Sequence, residues 1–281
     1  MTISRINPEE KRPFPRFLLL IIIIGAIFVM AFYTLTDSNY LAHNSLLDRA
    51  DWLGYALCHR ITERSFAING RQLPLCARCT GMYLGAALSL IVLWLAGRSR
   101  YMALPRLPIL IILLSFIAIM GIDGINSYSH FFPNAPHLYQ PRNWLRLLTG
   151  MGTGLAMGSI ILPALAQTLW HEQDFRPSLL NLRELMGLTV IGGTAVLLTL
   201  SNQPHILYVL TIISAVGLLA IVTALNTVMA LVLTRRENLA QNWRQASLPL
   251  LIGLALAIIE LSAISYLRFS LTGTMIGFPG L

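Results

Sequence analysis

The chain has 281 residues, 56% of them hydrophobic and only 11% charged, with a mean hydropathy of +0.67. Soluble domains carry roughly 25% charged residues, so the composition excludes a soluble globular fold and marks a membrane chain. Its net charge of +8 rests on twenty basic residues, nineteen of them Arg and most of them beside apolar runs. That placement is topogenic and headgroup-contacting charge, with no nucleic acid as partner.

Residues 1–16 hold Arg5, Lys11, Arg12 and Arg16 among Pro8, Pro13 and Pro15, which reads as a basic cytoplasmic tail without a stable helix. Phe17 to Leu35 is an apolar run about one bilayer long. The following TLTDSNYLAHNS offers no small-x-small cleavage site, so this run is expected to be an uncleaved first span. Further runs at about 80–97, 104–125, 147–170, 185–201, 205–234 and 247–268 bring the expectation to seven spans. The fifth and sixth are parted only by Ser201, Asn202, Gln203 and Pro204, a tight turn.

With the N-terminus inside, twelve Lys and Arg fall on the cytoplasmic side and eight on the other. The bias supports a multi-pass protein of the plasma membrane with the first long loop, residues 45–80, outside. Five of the eight outer arginines lie in that loop (Arg49, Arg60, Arg64, Arg71 and Arg78).

The same loop carries all three cysteines, too few for a disulfide scaffold and odd in number. From Ser45 to Arg60, the apolar residues Leu46, Leu47, Ala50, Leu53, Ala56 and Leu57 recur on one helical face. This predicts a short surface helix with Trp52 and Tyr55 at headgroup depth. In Ser65 to Leu75, Asn69-Gly70 between two short apolar-alternating runs is a hairpin signal. A hairpin there returns the chain so that Cys58 meets Cys76 and Cys79. CARCTG then opens the second span, with Thr80 as helix cap and Gly81 and Gly85 leaving its surface open to a neighbour.

Three chemistries suit such thiols. A metal ion, zinc by donor type, would take Cys58, His59, Cys76 and Cys79, with His43, His130, His137, Asp123 or water as other sources of the fourth ligand. Cys76 and Cys79 form an exchanging redox pair in the second, with Cys58 resolving. The third is a structural disulfide with one thiol left over.

Orientation places Asp123, at the end of the third span, and Arg142, Asn143 and Arg146, at the start of the fourth, on the membrane face of the cysteine loop. A charge inside a span is costly enough that pairing or function is expected. Asp123 is expected beside Arg146 or Arg78. Gly150, Gly152, Gly154 and Gly158 form a close-packing stripe. Glu260, with Ser262 and Ser265 nearby, is a proton-relay, cation-holding or structural carboxyl in the last span. No G-x-S-x-G, Walker, H-E-x-x-H or dinucleotide fingerprint occurs.

The run C-H-R-x-x-x-R-S-F from Cys58, C-x-R-C-T-G-x-Y-x-G from Cys76, Asp123-Gly124 and N-x-x-R-x-x-T-G from Asn143 together resemble a family of bacterial and archaeal integral membrane proteins, domain of unknown function 2085. The resemblance covers roughly residues 50–160 and implies a membrane helix bundle, with no activity attached. It puts Cys58, His59, Arg60, Arg64, Ser65, Cys76, Arg78, Cys79, Thr80, Gly81, Tyr83, Gly85, Asp123, Gly124, Arg146, Thr149 and Gly150 on the family's characteristic positions. The family often has a Gln soon after Asp-Gly, where this chain has Asn126 and Ser127. The three spans of residues 185–281 fall outside the resemblance and read as an extension.

The expected fold is thus all-α, a polytopic bundle of about seven helices with a hairpin-bearing Cys-rich loop between the first two. The leading functional reading is a membrane enzyme with a zinc-type site and an anion pocket, acting on an anionic or lipid-linked substrate. Asp123, Arg78 and Arg146 are its candidate catalytic residues, and Arg60, Arg64, Arg142, Asn143 and Tyr83 its candidate substrate contacts; many Arg side chains around one site suit planar oxyanions. Two alternatives stay open: a quinone-linked thiol-disulfide oxidoreductase, and a transporter or structural subunit with a disulfide-stapled loop.

Overall fold

A hydrocarbon layer of about 30 Å needs roughly 20 apolar residues in helical form, and six runs of this chain meet that requirement in a computed structural model. The structure describes residues 25, 41–43, 45–132, 136–172 and 174–275. Within them, α1 (Ser45–Leu57) is followed by β1 (Ser65–Ile68) and β2 (Arg71–Cys76). The six long apolar helices are α2 (Ala77–Leu95), α3 (Leu107–Ser129), α4 (Asn143–Leu169), α5 (Leu182–Leu200), α6 (Pro204–Thr234) and α7 (Trp243–Thr272). The expected tail of residues 1–16 and first span at 17–35 lie outside the described residues. The all-α polytopic expectation holds, and the turn at 201–203 separates two complete helices, with Asn202 at φ 53°.

In hydrocarbon, helices gain little from hiding apolar surface and associate where small side chains let backbones approach. The glycine stripe of α4 does this against α2. A Cβ on Gly150 would strike the Arg78 carbonyl, and one on Gly154 the Met82 carbonyl; Gly81 and Gly85 meet Leu147 and Met151 in return. Gly152 points the other way, to Phe116 of α3. Gly217 brings α6 onto the Tyr83 carbonyl of α2 in the same manner. Of the most apolar stretch of each helix, 67% is buried in α4 but 17% in α3 and 22% in α7. Helices α2 and α4 are therefore the centre, and α3 and α7 are flanks.

The bundle has two chemically distinct ends. One carries the β1–β2 hairpin. The other holds a pairing that residue patterns did not announce: β3 (Tyr101–Ala103) runs parallel to β4 (Asp174–Pro177). There Arg98 grips both oxygens of Glu184 at 2.6 and 2.9 Å, and Trp170 Nε1 donates to the Ser99 carbonyl at 3.1 Å.

Helix α1 corrects the surface-helix expectation in part. Leu47 and Ala50 are buried, but Leu46 and Leu57 are exposed. Tyr55, expected at headgroup depth, is fully buried because the end of α7 covers it: its hydroxyl donates to the Thr274 carbonyl at 2.6 Å, and the Arg268 guanidinium lies 4.1 Å from its ring centre.

Candidate functional site

The site begins with the hairpin. Asn69 (φ 47°) and Gly70 (φ 81°) take the left-handed conformations that a tight two-residue turn requires. Strands β1 and β2 then pair antiparallel, with Ser65 opposite Cys76. This return sets Cys76 beside Cys58. The Cys58 sulfur accepts backbone N–H bonds from Cys76 at 3.1 Å and from Arg60 at 3.5 Å. The second bond exists because Arg60 turns left-handed (φ 49°), curling the chain back over the sulfur.

Helix α2 starts immediately after Cys76, so Cys76 is its N-cap and Cys79 sits in its first turn. The cap expected at Thr80 is not formed; Thr80 Oγ1 instead donates to the Leu75 carbonyl at 3.3 Å. Unpaired N–H groups at a helix start favour negative charge nearby. The three sulfurs lie within 4.8 Å of one another, Cys58 and Cys76 buried and Cys79 partly so, all as free thiols. Hydrogen bonds from Cys58 and Cys79 hold the Cys76 thiol well below its ordinary value. Cys58, which gives its proton toward Cys76, is pushed up to about 12.

Beside the thiols stands an arginine network. Arg78 pairs with Asp123 of α3, and its Nη2 also donates to Ser127 Oγ at 3.2 Å. Arg146 of α4 donates Nε to the same hydroxyl at 3.4 Å and Nη1 to Asn143 Oδ1 at 2.9 Å. Arg64 donates to the Ser127 carbonyl at 3.3 Å and lies 4.1 Å from the Phe131 ring centre. A cavity of about 260 Å³ opens here, walled by His59, Arg64, Arg78, Ser127, Tyr128 and Phe131. Arg78 Nε is buried with no acceptor among the described residues. Burial lowers the pKa of both His59 and Arg64.

Other candidates sit elsewhere. His59 walls the cavity but does not join the 4.8 Å sulfur group, so it is not placed as a fourth ligand. Neither is Asp123, which is 1% exposed and has both oxygens engaged, by Arg78 and by the Tyr139 hydroxyl at 2.8 Å. Burial and that bond raise Tyr139 to about 12. Arg60 is buried away from the cavity on Asp51 at 2.9 Å. Asn143 donates to the Glu63 carbonyl at 3.0 Å, and Arg142 lies just before the start of α4, outside the cavity wall. Tyr83 packs among Cys58, Leu75 and Leu218 rather than lining the cavity. His130 and His137 stack on each other, ring centres 3.8 Å apart, with His130 Nδ1 at 2.8 Å from the Asn126 carbonyl. Neither joins the sulfurs. His43 is exposed at a chain turn.

The residues that the motifs passed over are connectors. Ser127 joins two guanidinium groups, and Asn126 takes the Leu138 N–H at 2.8 Å and donates to the Tyr139 carbonyl at 2.9 Å. They stand where the resembled family often has Gln, the signal that pointed to this neighbourhood. Arg268 of α7 donates to the carbonyls of Tyr55 and Cys58 at 2.7 and 2.5 Å. Nothing in its local sequence separates it from a topogenic charge.

No solved structure matches the chain. A protein of Methanothermobacter thermautotrophicus, described as uncharacterized, is 29% identical over 115 residues, which is 41% of this chain and 92% of that protein. Residues 58–160, which supply all three thiols with Arg78, Asp123 and Arg146, match the family described as a predicted membrane protein, DUF2085, the one that the Cys and Arg motifs resemble.

Proposed function

We propose that the thiol triad holds one thiophilic metal ion, zinc by donor type, and that the adjoining cavity receives an anionic group, so that the chain acts as a membrane enzyme on an anionic or lipid-linked substrate. The observation that carries this reading is three sulfurs within 4.8 Å of one another, with His59 and Arg78, the chain neighbours of Cys58 and Cys79, lining a cavity that Arg64 also walls. Zinc–sulfur bonds of about 2.3 Å put the sulfurs of a tetrahedral site roughly 3.8 Å apart, a small contraction of what is present. Cys76, the thiol held well below its ordinary value, is the one that enters most readily as a thiolate ligand.

Cys58, Cys76 and Cys79 would hold the ion and leave its fourth position to water or a substrate oxygen, where it supplies a Lewis acid. Arg64 and Arg78 bind the anion, and the unpaired Arg78 Nε–H offers it a donor. Asp123 and Tyr139 fix Arg78 in place, so Asp123 acts as a positioning residue. In this reading the hairpin end faces outward, and residues 50–160 are the working core with the last three spans as an extension. The family match, which spans residues 58–160, supports that division.

The same sulfur distances also suit thiol-disulfide exchange. One experiment separates the readings: metal analysis and thiol trapping on the detergent-purified chain and its three single Cys→Ser variants. About one zinc per chain, lost in each variant, is expected. Metal-free wild type sinks the reading; a Cys76–Cys79 pair that cycles between oxidised and reduced forms turns it to exchange, and a permanently locked pair to a structural staple.

A further inference from the structure

Asp123 and Glu260 both lie within membrane helices, and they differ in surroundings. Asp123 is 1% exposed and ion-paired. Glu260 of α7 is exposed. At 1.5 Å per residue it stands about 18 Å from the Thr272 end of its helix and about 25 Å from the Trp243 end, which puts it within a hydrocarbon layer of about 30 Å centred on α7. Its Oε2 accepts from Asn226 Nδ2 of α6 at 2.9 Å, and no arginine or histidine among the described residues pairs with it. Ser265, farther along the same span, is turned away and donates to the Trp52 carbonyl.

Ionisable groups within spans face protein or water, because lipid offers them no partner. Here the outward neighbours at helical spacing are apolar and exposed: Leu256 at 41%, Ile259 at 65%, Leu225 at 53% and Met229 at 58%. The carboxyl group and its amide therefore form a polar spot on an apolar face. We propose that this face of α6 and α7 is an interface between two copies of the chain, closed by Glu260 and Asn226 of both.

The hydrogen-bond inventory points to a second copy as the occupant. Asn226 spends one N–H on Glu260 and keeps its carbonyl and a second N–H. Glu260 takes that N–H on Oε2 and keeps Oε1 as a further acceptor. Each copy thus shows a donor and an acceptor side by side. A two-fold axis along the membrane normal reverses their order, so the second Asn226 N–H of each copy meets the Glu260 Oε1 of the other, as an isologous interface demands. The apolar ring then packs on its own equivalent. Polar side chains bonding across helices are an established source of association in lipid.

The test uses the full chain with one C-terminal fluorophore, diluted into phosphatidylcholine–phosphatidylglycerol vesicles and counted by single-molecule photobleaching. Wild type is expected to bleach in two steps. Glu260→Leu and Asn226→Leu should weaken association at least about tenfold, and Glu260→Gln, whose amide keeps a donor and an acceptor, by less than about threefold. Ile259→Cys gives a second readout in which the polar pair stays intact: a bifunctional maleimide should join two copies through it, while wild type stays unjoined. One-step bleaching of wild type, a Glu260→Leu chain as dimeric as wild type, or no cross-link through position 259 overturns the proposal. None of these readouts depends on metal content.

Discussion

Arg78 and Asp123 give the sharpest test of the site's architecture. Their side chains are 20% and 1% exposed, and they tie α2 to α3 beside the thiols. Two unit charges about 4 Å apart attract by roughly 4 kcal/mol at an effective dielectric near 20, and part of that is spent on desolvation. Removing one partner is dearer than the pair is worth, because the other stays buried and unmatched, at about 3–5 kcal/mol. Arg78→Ala strands a carboxylate with Tyr139 alone; Asp123→Ala strands a guanidinium with Ser127 and the backbone carbonyl of residue 123. The double variant strands neither, so its cost should fall short of the summed singles by about 2 kcal/mol. For a chain of this size, about 2–4 °C of Tm per kcal/mol makes each single drop about 6–20 °C in a detergent melt followed by tryptophan fluorescence. Asp123→Asn, which keeps shape and a carbonyl for Tyr139, should lose less than Asp123→Ala. Single-variant losses that simply add within about 0.5 kcal/mol would refute the reasoning, since the two groups would then be independent.

Gly154→Val drives a side chain into the Met82 carbonyl and must part α2 from α4, an overpacking cost of about 1–3 kcal/mol or more. Gly193→Val on α5, where no atom lies within 4 Å of a built Cβ, should melt within about 2 °C of wild type; equal melts for the two would contradict the close-approach account. Arg268→Gln removes charged donors from the Tyr55 and Cys58 carbonyls, bonds worth about 1.5–3 kcal/mol each. In chelator-treated protein, maleimide modification of Cys58 read by peptide mass should quicken at least about tenfold. An unchanged rate would mean that α7 does not clamp the loop.

What a residue pattern specifies depends on whether the physics is local. Hydrocarbon thickness demands long apolar runs, and those runs stand in the sequence as the six helices that the structure describes. Asn69-Gly70 likewise fixes its own turn, because positive φ is a property of those two residues, and the turn then decides that Cys58 returns to Cys76. Even the gathering of Asp123 with Arg78 follows from span counting, which puts chain-distant charges at one end of the bundle. Local pattern misled where a side chain's surroundings come from elsewhere in the chain. Tyr55 carries the composition of a headgroup aromatic and is buried only because α7 arrives over it.

The contacts of the candidate residues were decided in the same nonlocal way. Asp123 looks like an acid or base in one dimension, yet Arg78 and Tyr139 occupy both of its oxygens. His59 adjoins a candidate ligand in sequence, but the left-handed turn at Arg60 curls the backbone over the Cys58 sulfur, and His59 faces the cavity instead. Ser127 and Arg268 gain their meaning from partners 49 and 210 residues away. Length, polarity and φ along the chain are enough to set the long apolar helices, the hairpin and which end of the bundle carries the cysteines, since each is a property of neighbouring residues. Which charges are partners, which are buried and which face the cavity belongs to the tertiary structure, because those energies depend on atoms brought together across the whole fold.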